Sequence, residues 1–309
     1  MVRSARWLGV GWLAVTGCGA KRACLDAAAT AETAPSITAA DGTCLACYRW
    51  RPEGEPRGIV VVVHGIRDHA TRYDALARAL VDRGLVVVAH DLRGHGSSGG
   101  HRQRFDSLDQ LLTDLDGVVD AARAADPGLP VFVYGHSLGG LITTEYALAH
   151  PTELAGIVLS GAALKLSPDV TGGQIAGAKL FGTILPNLPA QPVDDTVFVS
   201  TPEATAAFLA DPQIDHAKLP ARSAKAALNG LADVSVRYGE VTVPMLVMHG
   251  GADVVTPIDG SRALVAASPS ADKTLKIWDG QFHDLLHEPA AAEVITLAAD
   301  WIAQRTAPE

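Results

Sequence analysis

The sequence has fewer basic residues than acidic ones. Its 25 Lys and Arg stand against 34 Asp and Glu, which gives a formal net charge of −9 at pH 7. A protein surface of this sign repels the phosphate backbone of nucleic acids. Loss of an N-terminal leader that carries Arg3 and Arg6 would make the charge still more negative. The composition therefore argues against nucleic acid as a partner.

The sequence also lacks an apolar run that could span a membrane. The N-terminal run, residues 7–15, is much shorter than the roughly 20 residues that a spanning helix needs. Arginines precede this run, and the small residues Gly17 and Cys18 follow it. This order is typical of an export signal. We therefore expect residues 1–17 to be a signal peptide that is removed from the mature protein.

The end of this leader carries a second signal. The residues Val15-Thr16-Gly17-Cys18 resemble a bacterial lipobox, in which the cysteine receives a diacylglyceryl group and becomes the first residue. We expect Cys18 to be lipidated, residues 18–40 to form a tether, and the protein to be a bacterial membrane lipoprotein of the cell envelope. Two or three acyl chains anchor a protein stably, since each buried methylene contributes about 0.8 kcal/mol. The alternative is ordinary signal cleavage that leaves Cys18 free.

Cysteine is scarce, with four residues in all. Cys44 and Cys47 have the spacing of a zinc or redox pair, but the second pair that a structural zinc site needs is missing, so no metal is expected. The segment around them is predicted to be a strand, in which residues three apart face opposite sides, so the two are poorly placed to bond each other. Cys24 is free to pair with either one in an oxidising compartment.

The remaining sequence predicts one α/β domain. It is 48% apolar and 19% charged, as expected of a chain with a large core. Continuous β-branched runs alternate with stretches of helical spacing, which favours a mostly parallel sheet covered by helices on both faces. The predicted strands cover 43–50, 58–63, 85–89, 131–134, 154–159, 245–249 and 274–278, and the predicted helices cover 73–83, 107–125, 138–150, 257–267 and 288–303.

The alternation stops in the middle of the chain. Residues 163–240 contain several prolines and only short helical patches, and they are too many for a plain connection. We expect them to form a cap, or lid, inserted between the two parts of the core, 41–162 and 241–309. No feature of the sequence indicates an oligomeric state.

A candidate nucleophile lies between a predicted strand and a predicted helix. Gly135-x-Ser137-x-Gly139 in this context is typical of a sharp strand-to-helix turn that raises the serine above the sheet. The glycines let the crowded backbone pass, and the start of the helix presents amide groups to developing negative charge. We therefore predict that Ser137 is the catalytic nucleophile rather than part of a simple tight turn.

A serine nucleophile needs a base and an acid that orients it. Asp253 and His283 each follow a predicted strand, and parallel strands deliver such residues to one edge of the sheet, where Ser137 lies. Asp259 and Asp279 are competitors for the acid, and His287 for the base. His287 lies four residues after His283, but the glutamate of the zinc-protease pattern is absent.

The first long strand ends in His64-Gly65-Ile66. Acyl transfer needs two backbone N–H donors for its oxyanion, one after the nucleophile and one from this loop. Leu138 and Ile66 are the expected donors, with His64 and Gly65 as supporting residues. The alternative is a plain turn at the strand end.

Six segments together resemble the monoacylglycerol lipase family and its bacterial lysophospholipase relatives: DGTCLACYRW, VVVHGIRDHATRY, VVAHDLRGHGSSGG, VYGHSLGGL, MLVMHGGADVVTP and FHDLLHEP. The resemblance covers residues 41–303, and FLADPQIDHAKLPARSA in the cap extends it, whereas residues 165–192 depart from the family pattern. It implies an α/β-hydrolase fold, a Ser137-Asp253-His283 triad, oxyanion donors Ile66 and Leu138, and hydrolysis of monoacylglycerols, lysophospholipids or short esters without a cofactor.

Two other functions are open at this stage. An aminopeptidase of the same fold would need an acidic cap residue to hold the substrate amine, and Asp194, Asp195 and Glu203 are the candidates. A non-catalytic lipoprotein that binds acyl ligands or a partner would need no triad. The presence of all three triad residues favours the hydrolase.

Overall fold

A computed structural model describes Cys24 and residues 33–190 and 194–306. An eight-stranded sheet runs through it in the order β1-β2-β4-β3-β5-β6-β7-β8. The strands are β1 (Thr33–Thr38), β2 (Cys44–Trp50), β3 (Gly58–Val63), β4 (Leu85–His90), β5 (Val131–His136), β6 (Gly156–Ser160), β7 (Met245–Gly250) and β8 (Lys273–Trp278).

Strands β3 to β8 are parallel to one another, while β2 is antiparallel to both β1 and β4. The carboxyl ends of six strands therefore meet at one edge of the sheet. The helices are α1 (Asp74–Val81), α2 (Leu108–Ala125), α3 (Leu138–Ala149), α4 (Gly172–Ile184), α5 (Pro202–Ala210), α6 (Ala221–Val236), α7 (Ile258–Ala267) and α8 (Ala291–Gln304), with 3₁₀ turns at Ala70–Tyr73, Asp195–Val197, Tyr238–Glu240 and Leu285–His287.

The core has one layer on each face of the sheet. Along β3, Val61 and Val63 enter one apolar cluster with residues of α2 and α3, while Val60 and Val62 enter the other with residues of α1 and α8. All six residues of β3 are buried, which explains its continuous β-branched sequence, because a central strand must be apolar on both faces. This architecture confirms the predicted α/β-hydrolase fold.

The sequence-based boundary of the tether is wrong at its C-terminal end. Residues Thr33–Thr38, assigned to the tether, form β1 at the edge of the sheet. The segment contains Pro35 and its pairing with β2 shifts register between Ala34 and Ile37, which an edge strand tolerates because one side has no ladder partner. The predicted signal peptide and Cys18 lie outside the described residues.

The structure also decides between the cysteine pairings left open above. Cys24 forms a disulfide with Cys44, at a Cα–Cα distance of 5.4 Å, and Cys47 is buried and free. Among the described residues, no cluster of three or more His, Cys, Asp or Glu could hold a metal ion. Within the same residues, no helix has the length and apolarity to cross a membrane.

Between β6 and β7 the chain leaves the sheet and forms α4, α5 and α6 above its carboxyl edge. These helices are longer than the short patches expected from the sequence, since α4 and α6 have 13 and 16 residues. The two lie close together at Gly182, where a Cβ atom would be 2.5 Å from the carbonyl oxygen of Ala221. The cap thus covers the edge at which the candidate catalytic residues were predicted to meet.

Candidate active site

Ser137 occupies the sharp turn between β5 and α3. Its φ and ψ are 54° and −118°, a conformation that an L-residue adopts only where the surrounding structure enforces it. A Cβ atom on Gly139 would collide with the carbonyl oxygens of Val63 and His64, and one on Gly135 would collide with the carbonyl of Gly139. The two glycines therefore make this close passage of the backbone possible, as the motif predicted.

Asp253 and His283 are in direct contact. His283 Nδ1 lies 2.8 Å from Asp253 Oδ2, and both side chains are fully buried. Asp253 also accepts hydrogen bonds from the amides of Val255 (2.8 Å) and Thr256 (2.9 Å) and from the Thr256 hydroxyl (2.9 Å). Each donor favours the charged form of the carboxylate.

The net effect on Asp253 is a pKa well below its ordinary value. Burial acts to raise this pKa, but the charge of His283 and hydrogen bonds from His249 and His283 outweigh it. The carboxylate therefore stays ionised, and it holds the Nδ1 proton of His283. This tautomer leaves Nε2 of His283 as the proton acceptor.

The Nε2 atom of His283 is buried and has no hydrogen-bond partner among the described residues. The ring lies beside the nucleophile turn, since its centroid is 4.8 Å from that of His136. On the other side it borders Gly161, where a Cβ atom would be 3.1 Å from Nδ1. No hydrogen bond joins Ser137 to His283 in this structure, and such bonds often tighten only when substrate binds.

The competing residues lie elsewhere. His287 Nδ1 lies 2.8 Å from Asp284 Oδ2 and 3.2 Å from Arg72, and His287 does not contact Asp253. Asp259 pairs with Lys165 on the surface, and Asp279 is exposed. Of the candidates weighed in the sequence, the structure therefore brings Asp253 and His283 together and leaves the others apart.

The predicted oxyanion loop lies against the nucleophile. A Cβ atom on Gly65 would be 2.9 Å from that of Ser137. His64 donates from Nδ1 to the carbonyl of Gly65 (2.7 Å) and accepts at Nε2 from the amide of Leu92 (2.8 Å). Burial holds the pKa of His64 well below its usual value, so the ring is neutral and can make both bonds. His64 thus fixes the loop that carries Ile66.

Two contacts in the site were missed from the sequence. Nε2 of His249, at the end of β7, lies 3.2 Å from Asp253 Oδ2, and Nδ1 of the same ring lies 2.8 Å from the hydroxyl oxygen of Ser261. Because His249 ends the predicted strand four residues before Asp253, its sequence position could have indicated that it lies near this carboxylate. Phe198 of the cap packs edge-on against His283, with ring centroids 5.5 Å apart, and stacks on Phe208. No local pattern marked Phe198 for this role.

A cavity of about 570 Å³ runs from Ser137 into the cap. Its described lining residues include Ser137, Gln174 and Thr256 as polar groups, and none is charged. The walls come from both the core and the cap and are mostly aliphatic: Ile66, Leu138, Leu141, Leu166, Val170, Phe181, Leu188, Leu228, Leu231 and Val255. The pocket suits a single apolar chain with a reactive group at the serine end.

Known proteins resemble the chain over most of its length. A family model described as "Serine aminopeptidase, S33" matches residues 54–290. The monoacylglycerol lipase of Mycolicibacterium smegmatis is 38% identical, over 82% of this chain and 90% of that protein. The human monoglyceride lipase is 35% identical, over 88% of this chain and 91% of its own length.

A solved structure agrees with these relatives. The crystal structure of the Paleococcus ferrophilus monoacylglycerol lipase superposes with a TM-score of 0.76 at 29% identity, covering 84% of this chain and 99% of that one. The fold and these likenesses make the protein a carboxylic ester hydrolase of the α/β-hydrolase class. The chain belongs to the monoacylglycerol lipase family.

Proposed function

We propose that the protein hydrolyses monoacylglycerols through a Ser137-Asp253-His283 triad. The observation that carries the proposal is the apolar cavity lined by Ser137, beside a buried Asp253–His283 pair. Ser137 lines this cavity, and the uncharged walls accept an acyl chain. The relatives named above support the monoacylglycerol as substrate class.

The mechanism follows from the contacts of each group. His283 Nε2 takes the proton of Ser137 as Oγ attacks the ester carbonyl, and the C=O π pair moves to the oxygen. The amides of Ile66 and Leu138 donate to this oxyanion, and the N-terminus of α3 adds its dipole. Asp253 holds the imidazolium that forms. The oxyanion then collapses, and His283 gives its proton to the departing glycerol oxygen.

Water completes the cycle by the same route. His283 deprotonates it, the hydroxide attacks the acyl-enzyme carbonyl, and Ser137 leaves as the alcohol with the proton returned from His283. The fatty acid then leaves the cavity. Every proton transfer uses Nε2, the buried atom without a partner among the described residues.

An aminopeptidase is the weaker candidate, although the family model carries that description. Of the three acidic cap residues considered for amine binding, none lines the described cavity. Asp195 pairs with Arg67 and His216, Asp194 caps the 3₁₀ turn by accepting from Thr196, and Glu203 is exposed in the first turn of α5. The amine of a peptide substrate would meet an uncharged wall.

We further propose that the protein is exported and held on a bacterial membrane by a lipid on Cys18. The Cys24–Cys44 disulfide supports export, since such bonds persist in oxidising compartments. The cap also exposes large apolar side chains on and just after α4, with Leu180, Ile184 and Leu185 each at least half exposed. A patch of this kind suits contact with lipid near the entrance to an acyl pocket.

A substrate panel tests the proposed function. Purified protein is assayed on 1-monooleoylglycerol, oleoyl lysophosphatidylcholine and alanine p-nitroanilide, with Ser137→Ala as the blank. We expect hydrolysis of the monoacylglycerol to exceed that of the anilide by at least about a hundredfold, and to disappear in the blank. Faster cleavage of the anilide would contradict the proposal and favour the peptidase. Faster cleavage of the lysophospholipid would keep the triad and replace the substrate class.

A further inference from the structure

The loop that carries Ile66 contains a residue in an unfavourable conformation. Arg67, directly after Ile66, has a φ of 54°, in the left-handed region that favours glycine. Its side chain is only 1% exposed. A long cationic side chain is seldom buried so completely unless specific partners hold it. The contacts of Arg67 therefore explain why an arginine occupies this position.

Two of its contacts are with the cap. The guanidinium forms an ion pair with Asp195 Oδ1 and donates to the carbonyl of Ala217 at 2.8 Å. The second carboxylate oxygen of Asp195 lies 2.7 Å from Nδ1 of His216, so both of its oxygens are engaged. Arg67, which directly follows the proposed oxyanion donor Ile66, thus contacts two separate segments of the inserted cap, at Asp195 and at Ala217.

A second residue with a positive φ, Gln103, contacts the same segment of the cap. Gln103 has a φ of 53° and donates from its amide nitrogen to the carbonyls of Asp215 and Ala217, both at 2.9 Å. Apart from Ser137, Arg67 and Gln103 are the only non-glycine residues with positive φ in the described part of the chain. Such conformations persist only where the surrounding structure enforces them, so the contacts with this segment of the cap hold both residues in place.

We infer that Arg67 is a positioning residue, which ties the oxyanion loop to the cap so that the Ile66 amide is in place only when the cap is seated. The inference rests on the proposed function, because Ile66 is the proposed donor. Arg67 is absent from the described lining of the cavity, so its loss should act on the transition state and leave acyl binding unchanged. Loosened placement of one donor is expected to lower kcat by about ten- to a hundredfold.

Three single variants test this. Arg67→Gly removes the tie and tolerates the positive φ, while Asp195→Asn removes the ionic partner and keeps the backbone of the loop untouched. Arg102→Ala is the matched control, because Arg102 also bonds the cap, at Asp215 (3.2 Å), but is not adjacent to Ile66. Each is assayed on p-nitrophenyl butyrate for kcat and KM, and for inhibition by a long-chain trifluoromethyl ketone, whose serine adduct carries an oxyanion. Binding of the matching fatty alcohol measures acyl binding alone.

The proposed positioning role of Arg67 predicts how kcat, KM and inhibition change in each variant. Arg67→Gly and Asp195→Asn lower kcat by about ten- to a hundredfold and weaken inhibition by the ketone in proportion. They change KM and the affinity for the fatty alcohol by less than about threefold. The double variant loses no more than Arg67→Gly alone, because without the guanidinium the contact with Asp195 is already absent. Arg102→Ala keeps kcat within about threefold.

Other results would overturn the inference. One is an unchanged kcat in folded Arg67→Gly and Asp195→Asn. The other is an equal loss of kcat in Arg102→Ala, which would show that any contact with the cap acts in this way by stabilising the cap. If circular dichroism shows that Arg67→Gly unfolds at a much lower temperature than the wild type, the kcat of Asp195→Asn alone tests the inference. Wild-type protein that does not hydrolyse the ester would refute the proposed function itself, before the variants are compared.

Discussion

Exchange of one atom in Asp253 should disable the proposed triad without changing its shape. In Asp253→Asn, the amide nitrogen replaces Oδ2, while Oδ1 keeps the two backbone amides that it now accepts from Val255 and Thr256. Oδ2 at present accepts from His283 Nδ1 (2.8 Å), the Thr256 hydroxyl (2.9 Å) and His249 Nε2 (3.2 Å). An amide nitrogen accepts from none of them.

The three donors respond differently. The Thr256 hydroxyl can rotate and accept, and His249 retains the carbonyl of Thr256 at 3.0 Å. His283 must move its proton from Nδ1 to Nε2, because Nδ1 then faces a donor. A proton on Nε2 prevents the ring from accepting the proton of Ser137. Loss of the base in this way costs roughly 10⁴ in kcat, or about 5.4 kcal/mol at about 1.36 kcal/mol per decade.

The assay is kcat on p-nitrophenyl butyrate, with circular dichroism to verify folding. Asp259→Asn is the matched control, since this acid lies on the surface in α7 and pairs with exposed Lys165 and Arg262. We expect it to retain nearly all activity. A folded Asp253→Asn protein with more than a few per cent of the wild-type rate, or an equal loss in Asp259→Asn, would refute the reasoning.

Three further predictions concern the base, the acyl cavity and the lipid anchor proposed on Cys18. His283→Ala should lower kcat by roughly 10⁴ or more and His287→Ala by less than about tenfold; the opposite order on p-nitrophenyl butyrate would reassign the base. Monooleoylglycerol should be hydrolysed at least about ten times faster than triolein, because the cavity lined by Ser137, of about 570 Å³, is too small for three oleoyl chains; similar rates in a fatty-acid release assay would contradict this. Cys18→Ser should leave the protein in the supernatant after ultracentrifugation of cells broken in high salt, and a variant that still pellets with membranes would place the anchor elsewhere.

The parts of the fold that the sequence predicted best are those with a continuous pattern. Residues 58–63 form β3 as predicted, because a central strand is apolar on both faces. Strand β1 was missed because an edge strand with a proline needs no apolar alternation and is held by backbone pairing. In the cap, Thr171 and Gln174 form a capping box at the start of α4, a local signal that would have revealed this helix.

At the site, contacts between residues far apart in the sequence limited what could be predicted. The nearness of Asp253 and His283 followed from topology, since both come after parallel strands that end at one edge of the sheet. The choice of Cys44 over Cys47 as the partner of Cys24 depends on where Cys24 lies against the sheet. The same holds for Arg67 and Asp195, which are 128 positions apart. The catalytic roles themselves stay predictions until they are measured.

The central claim is that Ser137 is the nucleophile, and adduct mapping tests it most directly. The protein is treated with a fluorophosphonate, digested and examined by mass spectrometry, with Ser137→Ala in parallel. The proposed mechanism predicts one stoichiometric adduct on the peptide that contains Ser137, and no adduct in the variant. An adduct on another residue, such as the neighbouring Ser160, or undiminished labelling of Ser137→Ala would contradict it.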